Sequence, residues 1–167
     1  MEDDLPDSMP DDVTLGYARE WVSDRVLKGT KCPCCYQEAK VYDRKLHSGM
    51  AVALIHMYVH RDDDDIFDIT THLLTNKGDT SKLRHYGLIE RVPDTKRGIW
   101  KITPRGKQFV EGKVRIMSNI ELYNSELLDI HGELISIHDA LEDKFDYDEL
   151  MSTPGTHQPP KMDNDGE

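Results

Sequence analysis

The run Ser48-Gly-Met-Ala-Val-Ala-Leu-Ile-His-Met-Tyr-Val-His60 places the strongest constraint on what this chain can become. Met50, Leu54, Met57 and Tyr58 recur on one face at helical spacing, and Ala51, Ile55 and Val59 widen that face. A helix with so broad an apolar surface is mostly buried, so neighbouring elements have to cover it. The chain has 167 residues, the length of one domain or one small domain with attachments. Only 37% of them are hydrophobic, against 32% charged, so the apolar residues must be concentrated in the middle while the ends stay polar.

Both ends fit that division. Residues 1–12 hold two prolines and six acids and are expected to form a disordered tail, as are residues 152–167. No apolar run approaches the roughly 18 residues of a membrane span, and the N-terminus is acidic. The reading therefore expects no transmembrane helix, no secretory signal, no membrane partner and a cytoplasmic location. All three cysteines lie within Cys32–Cys35, too clustered for a disulfide framework, which points to a reducing compartment and to metal binding or spare thiols.

The net charge of −11 is unevenly spread. Residues 70–115 carry eleven Lys and Arg against four acids, whereas residues 116–167 carry two Lys against thirteen acids. A basic block between acidic flanks says more about partners than the total does.

Along residues 13–47, Asp12 or Thr14 can cap a helix running to about Lys28, with Leu15, Ala18, Trp21, Val22 and Val26 on one face and Gly29 as its stop. The cysteine knuckle follows, then a short extended piece at 39–42. After the central helix, Asp62–Asp65 reads as a solvated loop. A calcium loop fails there, because its glycine position is Phe67 and its glutamate position is Leu73. A short helix is expected around Thr70–Thr75, with Asn76-Lys-Gly78 as a breaker. Asp79 or Thr80 then caps a second helix, Ser81–Tyr86, which ends at Gly87. Leu88–Val92 and Ile99–Thr103 read as a hairpin around Pro93–Gly98, and Thr103-Pro104 opens a helix through Val110. Residues 114–151 change to four short strands, 114–117, 120–123, 127–130 and 134–137, with turns at Ser118-Asn119, Asn124-Ser125 and His131-Gly132 and a short helical ending. The expected fold is α+β, with the last segment forming a small acidic β-meander.

Lys82-Leu-Arg-His-Tyr-Gly-Leu-Ile-Glu-Arg-Val92, followed by Gly98-Ile-Trp-Lys-Ile-Thr-Pro-Arg-Gly-Lys107, resembles the winged helix-turn-helix proteins, in particular small bacterial and phage-encoded regulators. The shared pattern is a helix ending in aromatic-Gly-Leu-Ile-Glu, a basic hairpin tip and a Thr-Pro-x-Gly-Lys exit. It covers roughly 48–112, less than half the chain, within a unit drawn at 48–113. The resemblance implies double-stranded DNA as partner, transcription regulation as role, and contacts from the exposed face of Ser81–His85 and from Lys96 and Arg97.

The residues agree with it. Leu83, Tyr86 and Leu88 would point inward, leaving Ser81, Lys82, Arg84 and His85 outward, where short polar groups and cations suit phosphates and guanine edges. Lys101, Arg105 and Lys107 would extend the positive surface. The alternative is a protein-interaction module that binds or inhibits a host protein, its acidic surface meeting a basic partner or mimicking nucleic acid. No dimerisation helix is evident, and the oligomeric state is left open.

Cys32-Pro-Cys-Cys35 contains the C-x-x-C half-site of a zinc knuckle. Cys32 and Cys35 are the candidate ligands of one structural zinc, Cys34 a possible third thiolate, and His47 the residue chosen to complete the site. His60 stands behind it, and His56 and His72 could be brought close by folding. Free thiols with unliganded histidines are the alternative. Catalysis is not expected. Asp129, His131, Glu133, His138 and Asp139 form an acidic cluster, but Gly132 breaks its alternation, and no phosphate loop, nucleophile elbow or H-E-x-x-H is present.

Overall fold

The computed structural model describes residues 12–70 and 77–152. The short helix around Thr70–Thr75 and nearly all of both expected tails lie outside those residues. The architecture is mixed α+β, with three small antiparallel or hairpin-built sheets among the described residues. Two compact units are present, residues 12–43 with 121–128, and residues 44–120 with 129–152. They run across the sequence-based divisions at 47/48 and 113/114.

In the first unit, helix α1 (Leu15–Arg25) starts where the Thr14 hydroxyl accepts a hydrogen bond from the Tyr17 N–H at 3.2 Å. Of the expected apolar face only Ala18 and Val26 are buried, while Leu15 is exposed because it sits in the first turn. Gly29, at φ 81°, turns the chain into strand β1 (Thr30–Lys31), which pairs with β2 (Glu38–Ala39) in antiparallel register, Thr30 opposite Ala39. The cysteine turn connects the two.

In the second unit, α2 (Ser48–His60) is buried from Ser48 through Ile55 and again at Met57. Beyond it, β4 (Ile66–Asp68), β5 (Ile89–Arg91) and β6 (Ile99–Ile102) form a sheet of order β4-β6-β5, with Phe67 opposite Trp100 and Ile89 opposite Ile102. Strand β4 has no counterpart in the sequence reading. Helix α3 (Lys77–Thr80) continues as a 3-10 helix, Ser81–Tyr86. The expected break at Lys77-Gly78 and the expected cap at Asp79 or Thr80 are therefore both corrected. Thr80 is buried with helical backbone angles, and Asp79 is held by later contacts rather than by capping. The helix stops at Gly87 as read, with φ 75° and its N–H bonded to Arg84 O at 3.0 Å.

Helix α4 (Pro104–Val110) begins on Thr103, whose hydroxyl accepts the Gly106 N–H at 3.0 Å. The β-meander of four short strands is replaced by two long ones, β7 (Ile116–Tyr123) and β8 (Glu126–Ile135), with β3 (Tyr42–Lys45) completing the order β3-β7-β8. Asn124 and Ser125, both at positive φ, make their two-residue turn. The other turn-like pairs are absorbed into the strands. Ser118 is buried in β7 and its Oγ accepts the Glu133 N–H at 3.1 Å, while Gly132, at φ 96°, leaves the space that Ser118 Oγ fills.

The chain then returns through α5 (Ile137–Leu141), opened by a Ser136–Asp139 capping box, and α6 (Tyr147–Ser152). Both pack on α2, as do α3 and α4. Tyr147 donates to Val110 O at 2.7 Å.

One position tests this packing sharply. A Cβ on Gly106 would collide with the Leu88 carbonyl oxygen and crowd Ile102. Gly106→Ala is expected to lose about 1–3 kcal/mol in urea unfolding, the usual range for forcing an atom into a filled core. A neutral result would show that α4 is not seated on Leu88.

Candidate nucleic-acid interface

The seating of α4 also fixes the charged surface. Thr103 Oγ1 donates to Gly87 O at 2.6 Å, and the Thr103 N–H donates to Leu88 O at 3.1 Å. The start of α4 is thus tied to the end of the basic 3-10 helix. Arg105, in the first turn of α4, runs past that end, since a Cβ on Gly87 would lie 3.9 Å from Arg105 Cδ.

Leu83, Tyr86 and Leu88 are buried as read, and Tyr86 donates its hydroxyl to Arg44 O at 2.8 Å. Arg84 is then exposed, Ser81, Lys82 and His85 half-buried. Burial, and then the neighbouring Arg84, lowers the His85 pKa from its ordinary value and so disfavours its charged form. The hairpin tip is fastened to the far end of β4. Gly98 O accepts the Ile69 N–H at 3.0 Å, and a Cβ on Gly98, which sits at φ 91°, would meet Thr70 Cγ2 at 2.9 Å.

The structure sorts the basic block into engaged and available cations. Lys82 Nζ lies 2.6 Å from Asp79 Oδ1, and Asp79 also meets His47 Nε2 at 3.3 Å. Burial opposes the charge on Asp79, but Lys82 and then His47 outweigh it and hold the carboxyl below its ordinary range. Lys96 reaches Asp68 at 3.2 Å, and Lys107 reaches Asp65 at 2.8 Å. Lys101 stands opposite Glu90 in register. Arg84, Arg97 and Arg105 are exposed and form no ion pair with another described residue. Arg91, which the sequence reading did not single out, is also exposed, with its guanidinium 5.7 Å from the centre of the Trp100 ring. Its place next to Trp100 depends on strand register, which the sequence alone does not supply.

Only part of the Asp62–Asp65 run is solvated. Asp62, Asp63 and Asp64 are exposed, whereas Asp65, at φ 63°, turns toward Arg61 at 3.0 Å and Lys107.

The candidate metal ligands belong to both units. Cys32 and Cys35 belong to the first unit and His47 to the second, where it precedes α2. Cys32 N donates to Gln37 O at 2.8 Å, Tyr36 N donates to Cys32 O at 2.9 Å, and Tyr36 has φ 61°. The His56 and His60 rings stack at 4.2 Å, and His72 lies outside the described residues. Among the described residues no group of three or more His, Cys, Asp or Glu is arranged to hold a metal. In the acidic cluster, Asp139 is committed to the α5 capping box and His138 packs on Tyr147 at 4.4 Å.

No family profile, curated protein or solved structure matches the chain. Among the described residues no helix is long and apolar enough to cross a membrane.

Asp65 gives a pH test of the charge sorting. The Lys107 hydrogen bond, against a desolvation cost and with help from Arg61, holds its carboxyl below the usual range. A depressed folded-state pKa stabilises the fold above the unfolded value of about 3.9 and is lost as pH falls through the folded value. Asp65→Asn keeps the positive φ accessible and is expected to cost about 1 kcal/mol at neutral pH. Urea midpoints of the two proteins should converge below about pH 4. A difference independent of pH would mean that the ion pairs contribute nothing.

Proposed function

We propose that the chain is a small non-enzymatic regulator that binds double-stranded DNA through a winged helix-turn-helix within 48–113. The observation that carries this reading is the order α2, β4, basic helix 77–86, hairpin β5–β6, α4, with the hairpin completed by β4 into one three-stranded sheet. Such a frame holds a helix and a hairpin tip side by side, as a helix in a major groove and a wing on the adjoining backbone require. Arg84, beside Ser81 and His85, would meet base edges or phosphate. Arg97 and Arg105 would neutralise phosphates on either side of it. Lys82 and Lys96 join only by giving up Asp79 and Asp68, so they contribute less than their charge suggests.

This ranking is measurable. Arg84→Ala, Arg97→Ala and Arg105→Ala should each weaken binding to duplex DNA and lower the slope of log affinity against log salt by about 1. Lys107→Ala should lower stability while leaving the slope unchanged. Fluorescence anisotropy with a labelled duplex across a salt series reads both. Absence of binding to any duplex at micromolar protein and low salt would contradict the proposal.

A second reading, a docking module for another protein, is favoured by β8. It is the outer strand of its sheet and exposes Leu128, Ile130 and Leu134, the last to 60%. Failure to bind DNA together with capture of a partner lost on Leu134→Lys would support that reading instead.

A further inference from the structure

Residues 129–135 of β8 belong to the second unit, and of the described strands only β7 pairs with β8. The Glu133 N–H turns inward to Ser118 Oγ on β7 at 3.1 Å. Successive residues of a strand direct their N–H and C=O to opposite edges, so those of Leu134 face the open side. Asp129, Ile130, Glu133 and Leu134 are all exposed. An open edge is a template for another strand unless something blunts it, and lysine and proline, two common blunting residues, are absent from 129–135. At roughly 3.3 Å per residue, this stretch presents about 23 Å of strand.

Charge selects what can use that edge. Residues 129–143 hold five acids and no Lys or Arg. Asp139 is tied into the α5 capping box, but Asp129 and Glu133 lie on the edge strand itself and form no ion pair with another described residue. A second copy would set the same carboxylates against themselves, and a phosphate backbone would add further negative charge. A strand bearing lysine or arginine answers them. Its apolar residues would at the same time cover Ile130 and Leu134, which are 42% and 60% exposed.

We infer that residues 129–135 of β8 accept, as an added strand, an extended segment of another protein in which basic residues alternate with aliphatic ones. Main-chain hydrogen bonds along the edge supply affinity, while Asp129 and Glu133, with Ile130 and Leu134, supply selectivity. This partner rests on the docking reading of β8 and makes no use of the arginine face.

The probe is a capped, dye-labelled peptide of about seven residues alternating lysine and valine, added to the full chain at low salt. Its anisotropy should rise to saturation, and the backbone amide resonances of 129–135 should shift. Asp129→Lys combined with Glu133→Lys, and separately Leu134→Lys, should each weaken binding about tenfold with unchanged far-UV circular dichroism. A control on the wild-type chain guards against variants that misfold. The same peptide methylated on its central amide nitrogens keeps its charge and side chains but cannot complete the ladder, and should also bind about tenfold more weakly. Equal binding of the methylated peptide would reduce the contact to charge attraction and overturn the inference. A wild-type dimer that Leu134→Lys breaks would also overturn it, by giving the edge to a second copy. Tighter binding of a glutamate–valine peptide would overturn the basic partner while keeping β8 as a docking edge. No shift along 129–135 with either peptide would contradict both the inference and the docking reading.

Discussion

The second unit depends on keeping α2 dry. Eight consecutive residues from Ser48 to Ile55 are buried, and Met57 after them. Each large aliphatic side chain so placed contributes about 1.5–3 kcal/mol, but only if every side of the helix is covered. Four helices do this, with α3 and α4 coming from the middle of the chain and α5 and α6 from its C-terminal part. Gly49, Ala51 and Ala53 keep the helix narrow enough for them to approach. The long β7–β8 hairpin is thus an excursion, after which the chain returns to the same core.

With α2 surrounded, the charged surface follows from a few junctions. Thr103 and Gly106 bind the start of α4 to Gly87 and Leu88, and Asp65 gathers Arg61 and Lys107. The second junction removes two cations from the surface, and the first places Arg105 next to the end of the basic helix. A count of Lys and Arg along 70–115 overstates the positive face, because several of those charges are already answered inside the fold.

Features governed by neighbours in sequence were legible without coordinates. The Thr14 cap, the full extent of α2, the stop at Gly87, the turn at Pro93–Gly98 and the Thr103-Pro104 start all rest on local chemistry. Features decided by distant partners were not. Strand β4 exists because Ile66–Asp68 finds β6 some thirty residues later. Ser118-Asn119 and His131-Gly132 look like turns, yet they form a cross-strand fit in which the missing Cβ of Gly132 makes room for Ser118. The helix begins at Lys77 despite Gly78, because Asp79 and Thr80 gain contacts in three dimensions that their local preferences do not register. For the site, the identity of the basic residues was readable, but their sorting into paired and available was not.

That sorting is the central claim, and the side-chain Nε resonances of the arginines report on it directly. Adding a short duplex at low salt should shift Arg84, Arg97 and Arg105 together while Arg61, held by Asp65, stays in place. Shifts confined to backbone amides of β8, with all three arginines unmoved, would contradict it.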